Sequence, residues 1–356
     1  MNRKQTQSRK MSSNDMIDQG EFYTEYHGHL VKHLEVVHKH LRNSTGSDGI
    51  IWLAGDSSLD NKHWFGDSAP AVHGYEKFLK PPRSKKDIAY WMNYHLMKKM
   101  MNVAVINTAV EESCVGDRSR CRLMEQDLFI RDNILPNDAL VISLGGNDIA
   151  LKPSPCTALN LLALVNCTPV ACVRDCSCGT SIPLDDPCCG CACGCLSNLL
   201  AWPLGLGYFV HLFRSRVASI IDRITAKIRP KTIFVCMIYF LDEKPTKGWA
   251  ETALNAMQYN TNPAKLQLII RKLFELATSS INIPGSKVVG IPLFVPLDGK
   301  TTAHYSQRVE PSAEGGDKMG KYIIDEFVCK YYQSSTVKEE EGGTTEDAAV
   351  AVAMSR

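Results

Sequence analysis

The stretch Gly49-Ile50-Ile51-Trp52-Leu53-Ala54-Gly55-Asp56-Ser57-Ser58 decides how this chain is read. Its apolar residues run without polar alternation, which describes a strand buried on both faces, as in a parallel sheet covered by helices. The run ends at Gly-Asp-Ser-Ser, where Gly permits an unusual backbone excursion and short polar side chains favour a tight turn. Ser57 is thereby set at the carboxyl end of a strand, where open α/β sheets bind their ligands. The same letters also describe an ordinary turn, so the reading needs support from the rest of the chain.

Four further runs have the same character: Val103 to Asn107, Ala139 to Leu144, Thr232 to Ile238 and Lys287 to Pro292. Between them lie helical patterns over Lys85 to Met100, Arg118 to Arg131, Val210 to Ile228, Pro263 to Thr278 and Gly316 to Tyr331. Strands alternating with helices predict a three-layer α/β/α sandwich around a parallel sheet. The third run ends in Gly145-Gly146-Asn147-Asp148. Two glycines allow close approach of a ligand, and the Asn147 amide is a neutral donor able to face a developing oxyanion. Read as structure alone, this is a Gly-rich turn capping a helix.

Together the two turns resemble those of the SGNH hydrolase superfamily, the GDSL-like esterases and lipases, whose GDS and GGND motifs end strands in this order. The resemblance runs from residue 49 to about 330. It implies a flavodoxin-like fold and ester hydrolysis through an acyl-Ser57 intermediate. The oxyanion would be held by the Ser57 amide and the Asn147 side chain, with no metal or organic cofactor. The family's second backbone donor is a Gly after the second strand; here the segment reads Asn107-Thr-Ala-Val-Glu111-Glu112-Ser113, so the Glu112 amide takes that place.

The last family motif, an Asp three residues before a His, is altered. The corresponding loop runs from Asp298 through His304, Gln307 and Glu310-Pro311-Ser312, with Gln307 and Glu310 where Asp and His are expected. Two repairs follow. Either His304 supplies the base and Asp298 orients it, or Glu310 acts itself, which requires burial to raise its pKa from the ordinary carboxylate value. The remaining alternative is a hydrolase-shaped binding protein without turnover. His63, Trp249 and Tyr259 read as surface or packing residues.

The 356 residues carry 40 basic and 38 acidic side chains, a net charge of +2 that offers no overall field for nucleic acid. The partner expected is a small-molecule or lipid ester. Residues 1–20 and 334–356 read as disordered tails around a hydrolase domain at 21–333. A Cys-rich and apolar insertion at about 153–209 holds ten of the 14 cysteines. Its cysteines fit zinc binding, disulfides, S-acylation or a plain thiol-bearing loop. The apolar stretch Leu196 to Phe213, broken by Pro203, Gly205 and Gly207, reads as a segment packed on the sheet, a lid, or a membrane-touching patch. No signal sequence is read at the start, so the expected location is cytoplasmic, with membrane association through the insertion.

Overall fold

The computed structural model describes residues 16–44, 49–119, 122–175, 202–246 and 248–332. The cysteines at 176–195 and the acidic stretch at 334–356 lie outside the described residues. Five strands form the central sheet: β1 (Gly49–Gly55), β2 (Val103–Asn107), β3 (Ala139–Ser143), β4 (Thr232–Met237) and β5 (Lys287–Pro292). All pairs are parallel, in the order β2-β1-β3-β4-β5. The chain leaves β1 toward β2 on one side and returns to β3 on the other. This reversal opens a crevice at the carboxyl end of β1, as in flavodoxin-like sheets.

Six longer helices cover the sheet: α1 (Val31–Ser44), α2 (Ile88–Lys98), α3 (Glu125–Asn133), α4 (Val217–Ile224), α5 (Pro263–Leu276) and α6 (Ala313–Ile323). Alternate strand residues divide between two apolar layers, because successive side chains in a strand point to opposite faces. Trp52, Ile106, Ile142 and Val235 pack with Leu34, Val37 and Leu41 of α1 and with side chains of α3, α4 and α5. Leu53, Val105, Val141 and Phe234 pack with Ile88, Met92 and Leu96 of α2 and Met319 and Ile323 of α6. The helix spacing explains the match: Leu266, Ile269, Ile270 and Leu273 of α5 fall at i, i+3, i+4 and i+7 and are all buried. The architecture is therefore the expected three-layer α/β/α sandwich.

Three features differ from the sequence reading. Packing starts before residue 21: Ile17 and Asp18 pair with Leu79 and Lys80, and Phe22 and Tyr23 are buried. A two-residue pairing between segments so far apart in the chain leaves no local periodicity to read. The helix expected over Arg118 to Arg131 begins only at Glu125, and that expected over Val210 to Ile228 divides into several pieces ending with α4. In the apolar stretch, Leu206, Phe209, Val210, Leu212 and Phe213 are buried in the core. Among the described residues, no helix is long and apolar enough to cross a membrane.

Candidate active site

The turn after β1 is built on Gly55. Its φ is +120°, and a Cβ there would meet the Ser143 carbonyl oxygen at 1.8 Å, so only glycine fits. The Gly55 carbonyl accepts from the Val110 amide and the Ser113 hydroxyl at 2.9 Å and from Arg118 Nη2 at 3.2 Å. The Asp56 amide donates to Ser143 at 3.0 Å, and Asp56 Oδ1 accepts from the Ser58 amide at 3.1 Å. Ser57 is thus held, buried, over the end of the sheet, with its own amide free of any hydrogen bond within the described residues.

Two further donors come from neighbouring loops, and of these Asn147 lines the cavity. After β3, Gly145 has a φ of +110°, and a Cβ there would strike the Phe213 ring at 2.6 Å. Gly146 and Asn147 follow in a short helical turn, and the Asn147 Nδ2 donates one hydrogen to the Ser113 carbonyl at 3.2 Å, leaving its second for a ligand. After β2, Glu112 has a φ of +58°, in the left-handed region where glycine is favoured. Its amide makes no hydrogen bond within the described residues. The Glu112 side chain receives the Tyr26 hydroxyl at 3.0 Å and lies 3.6 Å from Lys152 Nζ, outside the cavity wall. Asp148 ties this loop to the GGND turn, its Oδ2 accepting from the Val115 amide at 2.8 Å and its Oδ1 from Gly116 at 3.3 Å.

Arg118, read in the sequence only as opening a helix, is the fastener of the whole constellation. Fully buried, it pairs with Asp127 at 2.8 Å and donates to Ser113 at 2.9 Å as well as to Gly55. Arg118→Met leaves Asp127 buried and unpaired. It should lower the unfolding free energy in urea by roughly 3–5 kcal/mol with an unchanged slope. A loss below about 1 kcal/mol, the range of exposed ion pairs, would mean the bridge does not hold the turn.

Glu310 comes from the loop after β5. Ser306 and Glu310 pair across a tight hairpin whose tip, Gln307 and Arg308, has φ of +50° and +70°. Arg308 anchors the tip to Glu251 at 2.7 Å and to the Asp242 carbonyl, the Tyr239 hydroxyl donates to the Val309 carbonyl at 2.7 Å, and Asn61 Nδ2 to the Pro311 carbonyl at 3.1 Å. Ser312 then caps α6 through the Gly315 amide. Glu310 is delivered, buried, to the wall of the cavity that also bears Ser57.

Burial pushes the Glu310 carboxyl well above the ordinary carboxylate range, and repulsion from Asp56 adds to it; the nearby Ser57 hydroxyl pulls the other way, and Asp60 and Glu112 push up again. Burial likewise raises Asp56, to about 6. Neighbouring Glu111 is raised by burial and then by Glu310 and Asp60, against the opposing charge of Lys62. One oxygen each of Asp56, Glu111 and Glu310 is buried with no hydrogen-bond partner. Like charges this close do not both ionise, so at least one of Glu111 and Glu310 keeps its proton at neutral pH. Among the described residues no group of His, Cys, Asp and Glu is arranged to hold a metal ion.

His304 and Asp298 are not brought to this site. His304 Nε2 lies 3.6 Å from Glu314 at the start of α6, its Nδ1 is buried without a partner, and neither residue lines the cavity around Ser57. Asp298 accepts from the Lys300 amide at 3.1 Å instead. The chain between them is committed elsewhere, since the Gly299 amide donates to the Tyr305 hydroxyl at 2.8 Å. His63 packs edge-on against Tyr26. Trp249, read as a packing residue, lines the cavity, while Tyr259 is fully buried and donates to the Leu241 carbonyl at 2.6 Å. No signal in the sequence marks Trp249, because the cavity forms from elements far apart in the chain.

No family model and no curated protein matches this sequence. Solved structures do resemble it at low identity. The lipase/acylhydrolase from Enterococcus faecalis is 14% identical over 79% of this chain and 96% of that one, with a TM-score of 0.40. The family 3 carbohydrate esterase of Clostridium thermocellum is 12% identical over 80% and 97%, with a TM-score of 0.39. The extracellular lipase of Streptomyces rimosus is 12% identical over 78% and 98%, with a TM-score of 0.36. The likeness is one of fold, to lipases and esterases of the SGNH type.

Proposed function

We propose that this protein is a carboxylic ester hydrolase working through an acyl-Ser57 intermediate, with Glu310 as its base. The observation that supports this is a buried hydroxyl and a buried carboxyl on the wall of one cavity, Ser57 and Glu310, with the free Ser57 amide and the Asn147 side-chain donor. A solvated carboxylate is too weak a base for serine; one raised toward neutrality by burial suits the task.

In the first half-reaction the ionised Glu310 takes the Ser57 proton as Oγ attacks the ester carbonyl. The negative charge that moves onto the carbonyl oxygen is met by the Ser57 amide and Asn147. Such donors are aimed before the reaction begins, and each is commonly worth about 3 kcal/mol of barrier. Collapse expels the alcohol, which receives the proton from Glu310. Water then attacks the acyl-serine with Glu310 again as base, releasing the acid and restoring Ser57. Metal and organic cofactors have no part in this scheme.

A fluorophosphonate is the direct test. At a pH of about 8.5, where a base raised by burial is ionised, it should phosphonylate the wild-type protein once, on the peptide containing Ser57, and should leave Ser57→Ala unmodified. A protein that neither reacts with the probe nor hydrolyses p-nitrophenyl acetate would instead be a binding protein of hydrolase shape.

A further inference from the structure

A cavity opens from Ser57 over the carboxyl end of the sheet. Its walls are of two kinds. Polar side chains gather at one end, where Asp56, Ser57, Asn147 and Glu310 meet. Elsewhere the lining is aliphatic and aromatic: Leu266, Ile269, Ile270 and Leu273 of α5 form one side, and Leu161, Leu164 and Phe209 of the 153–209 insertion form another. Apart from Trp249 and Tyr239, none of the lining beyond the Ser57 end carries a hydrogen-bonding side chain.

We propose that this cavity is an acyl-chain pocket, and that the natural ester presents to Ser57 an apolar acyl chain much longer than acetyl. The inference rests on the esterase reading above and adds the substrate class. An acetyl group would fill only the polar end and leave the apolar walls bare. A sugar ring lying along α5 would lose the water around its hydroxyls and find no partners there, a penalty that apolar walls impose on any polar guest. A methylene chain loses nothing polar and gains at each carbon buried. The insertion supplies one wall, so its apolar stretch shapes the pocket as well as packing on the sheet.

The experiment is a chain-length series of p-nitrophenyl esters from acetate to dodecanoate, kept below their micelle concentrations, on wild type, Ile270→Trp and Ala150→Phe. Each added methylene should raise kcat/KM of the wild type by about two- to fourfold until the pocket is full. Both variants put bulk into the lining and should flatten that rise while leaving acetate hydrolysis within about threefold. Ala150 is partly exposed at the wall, so its replacement guards against loss of folding at the buried Ile270. Turnover of acetate with no gain from longer chains would overturn the acyl pocket and leave the esterase reading standing. Absence of turnover on every ester, with Ser57 unlabelled by fluorophosphonate, would remove both.

Discussion

Glu310→Gln should lower kcat/KM for p-nitrophenyl esters by about 10²–10⁴-fold, the usual contribution of a positioned general base, while His304→Ala should stay within about threefold of wild type. The contrast follows from where the two side chains stand. Glu310 lines the same cavity as Ser57 and is held by a hairpin fastened at Arg308, Val309 and Pro311. His304 faces Glu314 and takes no part in the cavity wall. Gln is close to Glu in shape and hydrogen-bonds, so Ser57 should keep its position, and fluorescence and far-UV dichroism of the variant should match wild type. Ser57→Ala should lose activity to at least the same degree. Loss in His304→Ala with activity kept in Glu310→Gln would reverse the assignment and require the 298–312 loop to rearrange on binding substrate.

The same substitution should change how stability depends on pH. The Glu310 carboxyl is raised in the folded protein, so the native state binds more protons than the unfolded chain between the two pKa values. The stability it contributes is fully present below the unfolded pKa near 4.5 and is lost as pH rises through the folded value into the weakly alkaline range. Gln resembles the protonated acid and does not titrate. Glu310→Gln should therefore match wild type below the unfolded pKa, become the more stable protein as pH rises above it, and reach its full advantage once the pH exceeds the folded one. The gap should reach on the order of 2–4 kcal/mol, since each tenfold weakening of the acid is worth about 1.4 kcal/mol. For a domain of this size that is roughly 5–12 °C in melting temperature. The comparison between variants cancels titrating groups remote from Glu310, among them the buried His29, whose pKa is lowered by burial, while Glu111, which Glu310 pushes up, does not cancel. A difference in melting temperature that stays flat from about pH 5 to about pH 9 would show that Glu310 ionises freely in the folded state. Rate and stability thus respond oppositely to pH: the base becomes available as the fold loses the benefit of its proton.

The local sequence determined the strands and the two turns, because their signals are short-range. Five runs rich in Val and Ile can be buried only between helix layers, and each is found in the sheet. Gly55 and Gly145 are marked by backbone angles and close contacts that no other residue tolerates, so the GDS and GGND turns were legible with Ser57 and Asn147 on them. Which residue answers Ser57 was not legible. His304 and Glu310 stand close together on one loop, and Glu310 is turned inward by two consecutive left-handed residues, Gln307 and Arg308, neither of them glycine. The left-handed Glu112, with its free amide, is hidden for the same reason. The acidity of Glu310 depends on burial beside Asp56, Asp60 and Glu112, groups brought together from two other loops. The apolar pocket joins α5 to an insertion that precedes it by two elements of the sandwich, β4 and α4. A turn or a buried strand is set by neighbours along the chain, whereas a pKa and a cavity are set by neighbours in space, and only the tertiary structure supplies those.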